Sequence, residues 1–156
     1  MKTIQFHDWL LHVDMDLTRS TYSAVTNGSA DECSCNDCLN YVTNRTNAFP
    51  AEIKVLLDEL GIDCRKESEV WRMCKDLDGL HRYAGFFHFK GSFEGESCVL
   101  QEPNGVTTLK LVNIGSNFSI GFCFDNSLAY FENIENLVQV EFEVRLPWVI
   151  SEKEYD

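Results

Sequence analysis

The chain of 156 residues has few basic side chains, because 13 Lys and Arg stand against 25 Asp and Glu. The formal net charge is −12 and the pI is near 4.6. A protein that binds nucleic acid or an anionic membrane surface needs a basic footprint to meet the phosphates. The composition therefore argues against both of these partners and favours a basic protein.

Long apolar runs are also missing. A secretory signal needs an uninterrupted apolar core of about 7 to 15 residues near the N-terminus, and here His7, Asp8, His12, Asp14 and Asp16 break every run. No run approaches the roughly 20 residues of a transmembrane helix. We therefore expect a cytoplasmic protein with reduced cysteines. The odd count of seven cysteines agrees with this, since secreted proteins usually pair them.

Familiar catalytic signatures are absent as well. The sequence contains no glycine-rich phosphate loop, no H-E-x-x-H zinc-protease sequence and no recognisable Ser-His-Asp arrangement. This absence favours a binding role over an enzymatic one.

The one dense chemical cluster is formed by Cys33, Cys35 and Cys38, three cysteines within six residues. Zinc prefers a tetrahedron of sulfur and nitrogen ligands, so these thiols predict part of a zinc site. The sequence offers four candidates for the fourth ligand: Cys64, Cys74, His81 and His88. Zinc sites usually show a second ligand pair at a defined spacing, and here only the first group is present.

Two other uses of these cysteines stay open. Cys35 and Cys38 form a C-x-x-C at the start of a predicted helix, where the helix dipole lowers a thiol pKa and permits redox chemistry. Alternatively, Cys35, Cys38, Leu39 and Val42 follow the spacing of a buried helical face. Cysteines on such a face would be ordinary core residues.

Two helices are predicted in the first half of the chain. The first runs from an N-cap at Ser34 to about Arg45, and the second begins at Phe49-Pro50 and ends at Gly61, a natural residue for a left-handed helix ending. Before them, alternation over residues 9–18 predicts a strand.

The second half is predicted to be all strand. Asp78-Gly79 joins strands over residues 70–75 and 80–90, and a second hairpin turns at residues 103–105. Regular alternation then marks strands over residues 118–124 and 138–146. The sequence thus predicts an α+β fold, with two helices packed on one face of a largely antiparallel β-sheet, in a single domain over residues 1–156.

The acidic excess is uneven, because Lys110 is the single base between Gly91 and Val144. Alternation in the last predicted strand turns Glu141 and Glu143 away from the apolar side. We therefore expect these two glutamates in a surface that binds a basic partner by electrostatic attraction.

The stretches from Cys33 to Tyr41 and from Gly79 to Phe89 resemble parts of a group of small uncharacterised bacterial proteins with a C-x-C-x-x-C-x-N sequence. The resemblance covers roughly the middle third of the chain. It implies a bacterial, cytosolic setting and assigns no functional residue.

These observations favour a non-enzymatic protein-interaction module, of the kind found in immunity and inhibitor proteins. The alternative is a zinc-binding domain with a structural site at Cys33, Cys35 and Cys38. A thiol redox enzyme that uses Cys35 and Cys38 is the third hypothesis.

Overall fold

A computed structural model describes residues 1–154 and shows three α-helices together with a largely antiparallel β-sheet. The elements are β1 (Lys2–Phe6), β2 (Trp9–Val13), α1 (Met15–Ser23), a 3₁₀ turn (Ser29–Glu32), α2 (Asn36–Ala48), α3 (Ala51–Leu60), β3 (Glu69–Lys75), β4 (His81–Glu94), β5 (Val99–Gln101), β6 (Thr107–Leu109), β7 (Val112–Asn113), β8 (Phe118–Cys123) and β9 (Leu137–Leu146). Every strand pairing described is antiparallel. The predicted α+β class and antiparallel sheet are confirmed.

The main sheet is built around β4 and β9. Its strand order is β1-β2-β4-β9-β8-β7, β3 pairs additionally with β4, and β5 and β6 form a separate hairpin. β9 lies along β4 from His81 to Lys90. β4 is long enough for two further partners, β3 over its first half and β2 over Gly91–Glu94.

Helix α1 fills the gap in the edge of β4 that lies between β3 and β2. The backbone N–H of His88 donates to the Tyr22 hydroxyl at 2.9 Å, and that of Lys90 donates to the Thr18 hydroxyl at 3.1 Å. Thr18 and Tyr22 are one helical turn apart, and both are buried. Two side chains of a helix therefore satisfy amides that a strand would otherwise pair.

The prediction of one strand over residues 9–18, and with it the expectation of only two helices, is wrong. β2 ends at Val13, and Asp14 caps α1 by accepting a hydrogen bond from the Leu17 N–H at 3.1 Å. A side-chain cap satisfies an amide that has no partner inside the helix, which favours helix over a continued strand.

The two predicted helices are present as α2 and α3, with different first residues. α2 begins at Asn36 with Cys35 as its N-cap, and it ends at Ala48. α3 ends as predicted at Gly61, whose φ is 87°. The Ile62 N–H donates to the Leu57 carbonyl at 2.9 Å, which completes the Schellman ending.

The buried apolar residues form one core, into which Phe49 projects from the α2–α3 junction. Its ring centroid lies 5.9, 5.7 and 5.3 Å from those of Phe87, Phe118 and Phe142. The sheet is strongly curved around this core. Trp9 of β2 and Phe122 of β8 have ring centroids only 5.0 Å apart, although a flat sheet would separate these strands by about 14 Å.

The longest described helix, α2, has 13 residues. Within residues 1–154, no helix has the length and apolar character needed to cross a membrane.

Candidate metal centre

The three clustered cysteines meet in space at the start of α2. The sulfur atoms of Cys33, Cys35 and Cys38 all lie within 4.8 Å of one another. Those of Cys33 and Cys35 are 3.2 Å apart. In the described part of the chain, this is the only group of three or more Cys, His, Asp or Glu side chains that could hold a metal ion.

The cysteines lie beside the core and not within it. Cys33 and Cys35 are exposed, and Leu39 is 43% exposed. Cys38 and Val42 are only half-buried against the core. The interpretation of Cys35, Cys38, Leu39 and Val42 as a buried face is therefore wrong for Cys35 and Leu39.

α2 buries a different face, which is largely polar: Asn40, Tyr41, Asn44, Arg45 and Ala48. The side-chain amides of Asn40 and Asn44 each donate to the Pro147 carbonyl at 3.1 Å. Polar groups can be buried at small cost when hydrogen bonds satisfy them. With this face of α2 buried, Cys33 and Cys35 lie at the surface.

An ion network with two buried members, Arg45 and Glu67, holds the chain on the N-terminal side of the cysteines. The Arg45 guanidinium lies 2.6 Å from an Asp31 oxygen and 3.2 Å from a Glu67 oxygen, and Glu67 also accepts from the Ala30 N–H at 3.1 Å. The space is tight, because a Cβ on Gly28 would lie 2.5 Å from Glu67. We call Asp31, Arg45 and Glu67 the charge clamp.

The environment of the charge clamp changes the acidity of its members. The hydrogen bond from Arg45 lowers the pKa of Asp31, whereas burial raises the pKa of Glu67 in spite of the nearby guanidinium. Arg45 and Glu67 are both buried. The clamp joins the 3₁₀ turn, α2 and the segment before β3.

A second anchor holds the first turn of α2 against the sheet. Arg72 of β3 lies 3.1 Å from a carboxylate oxygen of Asp37, and the Tyr83 hydroxyl of β4 donates to the Asp37 carbonyl at 2.8 Å. The Cys35 sulfur accepts the Cys38 N–H at 3.4 Å and so caps the helix. Both flanks of the cysteine group are fixed by contacts that need no ion.

Cys33 and Cys38 differ in acidity. Hydrogen bonds from the Cys35 backbone N–H and from the neighbouring thiols lower the pKa of Cys33. Burial, together with the other two sulfurs, raises the pKa of Cys38. Cys33 therefore loses its proton more readily than Cys38, and the thiolate is the form that binds metal.

The candidates for a fourth ligand lie elsewhere. Cys64 is half-buried against the core, and the exposed Cys74 has its sulfur 3.5 Å from Asp76. His81 lies 2.7 Å from Glu154 through its Nε2, and His88 lies 2.9 Å from Gln139 through the same atom. Residues 1–154 bring none of the four to the cysteine group. Both histidines are buried and hydrogen-bonded.

Glu141 and Glu143 have different surroundings. Glu141 is only 8% exposed, and it accepts a hydrogen bond from the Gln139 side chain. Burial raises the pKa of Glu141. Glu143 is half-buried, with an oxygen 3.5 Å from Arg82. Their role in binding a partner stays a prediction, and Glu143 is the more accessible of the two.

Two features of the structure were not found from the sequence. Cys98 and Cys123 form a buried pair, in which hydrogen bonding to Cys98 and burial raise the pKa of Cys123. The loop over residues 124–136 exposes three large apolar side chains, Phe124 by 61%, Leu128 by 62% and Ile134 by 51%. The cysteine pair gives no sequence signal because its members are far apart. The loop does give a sequence signal, because its apolar residues lie among acidic residues in a stretch without Lys or Arg.

Comparisons with protein-family models, with curated proteins and with solved structures found no match for this chain.

Proposed function

We propose that this protein binds a thiophilic metal ion, zinc in the first place, through thiolates of Cys33, Cys35 and Cys38. The observation that carries the proposal is the approach of three sulfur atoms to within 4.8 Å of one another. With Zn–S bonds of about 2.3 Å, sulfurs around a tetrahedral zinc lie about 3.8 Å apart. Small side-chain adjustments therefore bring the group to binding geometry.

The setting proposed for this function is the cytoplasm, because the ligands must stay reduced. The resemblance to bacterial proteins fits the same setting. Redox use of Cys35 and Cys38 has less support. The sulfurs of Cys33 and Cys35 are in contact at 3.2 Å, and that pair does not belong to the C-x-x-C.

The test is metal content, measured by elemental analysis on protein purified without a histidine tag or chelator. About one zinc per chain is expected, since the three thiols form a single group. Cys33→Ser, Cys35→Ser and Cys38→Ser should each lower zinc affinity by at least tenfold. Cys74→Ser is the matched control, because Cys74 is exposed but lies outside the group. Absence of bound zinc after incubation with the ion would overturn the proposal, as would equal loss in the control.

We propose as a second candidate that the protein binds a basic protein, with the main contacts made by the loop over residues 124–136. This loop carries the exposed Phe124, Leu128 and Ile134 beside Asp125 and Glu135, and it contains no Lys or Arg. Apolar anchors surrounded by charge are typical of interaction surfaces. Leu128 has a φ of 57°, a backbone conformation uncommon for a large side chain and frequent at binding sites.

A synthetic peptide of lysine and leucine tests this second candidate by calorimetry, beside a peptide in which serine replaces leucine. We expect the first peptide to bind more tightly, and its binding to weaken as salt rises. The double variant Phe124→Ser/Ile134→Ser should reduce affinity at least tenfold. Val55→Ser removes an exposed apolar side chain from α3 and should change nothing. Equal binding by the double variant and wild type would exclude the loop.

A further inference from the structure

We infer that the metal centre is an open site, in which a small thiol from solution supplies the fourth ligand as a thiolate. This inference rests on the proposed binding of a metal ion by Cys33, Cys35 and Cys38. It differs from the structural zinc site expected from the sequence in two ways. The site binds an external thiol, and the chain folds without the ion.

The first argument is the number of ligands. Structural zinc sites are closed by four protein ligands, whereas three protein ligands leave a position for an external molecule. The described residues place three sulfurs together and no fourth ligand near them. Two of these sulfurs, those of Cys33 and Cys35, belong to exposed residues, so solvent reaches the group directly.

The second argument is that the site is preformed. A structural zinc usually organises a chain that is unfolded without it. Here the chain around the sulfurs is held by contacts between protein groups, with the charge clamp on one side and Asp37 on the other. Tyr83 and Arg72 hold Asp37 from the sheet. Metal ligands that surrounding protein contacts hold in position are typical of sites that bind an external molecule.

The third argument concerns the kind of ligand. An ion that already carries three thiolates is matched best by another soft donor. On binding, the thiol sulfur bonds to the metal, the metal–water bond breaks, and the thiol proton passes to solvent. The step is ligand exchange, with no change in oxidation state. A bound cation favours the deprotonated thiol, so the external molecule is held as a thiolate.

The experiment uses the full chain loaded with one equivalent of Co²⁺, a coloured substitute for zinc. Mercaptoethanol is titrated in while the visible and charge-transfer absorption is recorded, and proton release is followed in weak buffer. We expect a saturable change at one thiol per ion, with one proton released per thiol bound and the metal still on the protein. Cys74→Ser should behave like wild type, and Cys33→Ser should lose the response.

Three other outcomes are decisive. If no metal binds to the chain, the proposed function fails, and this inference fails with it. If the metal binds but mercaptoethanol leaves the spectrum unchanged, the proposed function stands and the open site is overturned. If the protein without metal lacks a cooperative thermal transition that zinc restores, the ion is structural, and the inference is again overturned while metal binding stands.

Discussion

The two groups of cysteines in this protein differ in nearly every respect. Cys33, Cys35 and Cys38 are close in sequence and lie at the surface, where the pKa of Cys33 is lowered by hydrogen bonds. Cys98 and Cys123 are distant in sequence and buried together, and the pKa of Cys123 is raised. The same side chain is thus a potential metal ligand in one region and a small core residue in the other.

The difference shows that burial, and not spacing, decides what a cysteine can do. The exposed group lies at the start of α2, a helix that buries a largely polar face formed by other residues. The buried pair exists because the Cys98 N–H donates to the Phe122 carbonyl at 2.9 Å, which brings the segment before β5 onto β8. Each group depends on contacts made by other residues.

The largest contrast is expected in alkylation rates, measured for each peptide by mass spectrometry. Cys33, Cys35 and Cys74 should react at once, whereas Cys98 and Cys123 need an opening of the structure and should react at least about 100-fold more slowly. Zinc should slow alkylation of Cys33 and Cys35 and leave Cys74 unchanged. Rapid alkylation of the buried pair in folded protein would remove the distinction.

Loss of the charge clamp should destabilise the region around Cys33, Cys35 and Cys38. Arg45→Ala leaves Glu67 buried beside no cation, so we expect the free energy of unfolding to fall by about 3–5 kcal/mol. Urea denaturation measures this loss. Arg19→Ala is the control, because its ion pair with Asp58 is exposed and should be worth about 1 kcal/mol or less. If Arg45→Ala and Arg19→Ala lose similar amounts of unfolding free energy, the charge clamp does not stabilise the protein more than an exposed ion pair does.

Serine substitutions compare the two groups directly. Cys123→Ser buries a hydroxyl in the place of a thiol and should cost about 1–3 kcal/mol of unfolding free energy. Cys35→Ser should change the same quantity by less than about 0.5 kcal/mol, since the position is exposed and serine is a good N-cap. The contrast is refuted if metal-free Cys35→Ser is the less stable protein.

The smallest effect concerns Glu141, the buried glutamate of β9. Because burial raises the folded-state pKa of Glu141 above its unfolded value, the ionised group destabilises the fold at neutral pH, and this cost disappears as pH falls through the folded pKa. Glu141→Gln should therefore be more stable than wild type at pH 7 and equal to it at acidic pH, where both side chains are neutral. Thermal melts over this pH range measure the difference, with the more accessible Glu143→Gln as control.

The parts of the fold that could be predicted are those in which local pattern and tertiary packing agree. β9 alternates strictly, and its apolar side lies in the core. α3 carries an apolar stripe and ends at Gly61 because glycine accepts a positive φ without strain. For these elements, the sequence information needed lies within the element.

The parts that could not be predicted depend on distant residues. α1 buries Thr18 and Tyr22, whose hydroxyls accept hydrogen bonds from amides of β4. The spacing of apolar residues therefore does not reveal the buried face of α1. Glu141 follows a solvent-facing pattern but is buried. The three cysteines were found from spacing alone, whereas the face that α2 buries includes Asn40 and Asn44, which bond to a carbonyl about a hundred positions away.

The filling of the β4 edge by α1 has a consequence for how the molecule opens. The amide hydrogens of His88 and Lys90 are covered by hydroxyl groups of a helix, so deuterium reaches them only when α1 lifts from the sheet. Helix and strand centre thus form one unit of local unfolding, although they are about seventy residues apart. The exchange of two amides in the middle of the sheet therefore reports the undocking of a helix near the N-terminus.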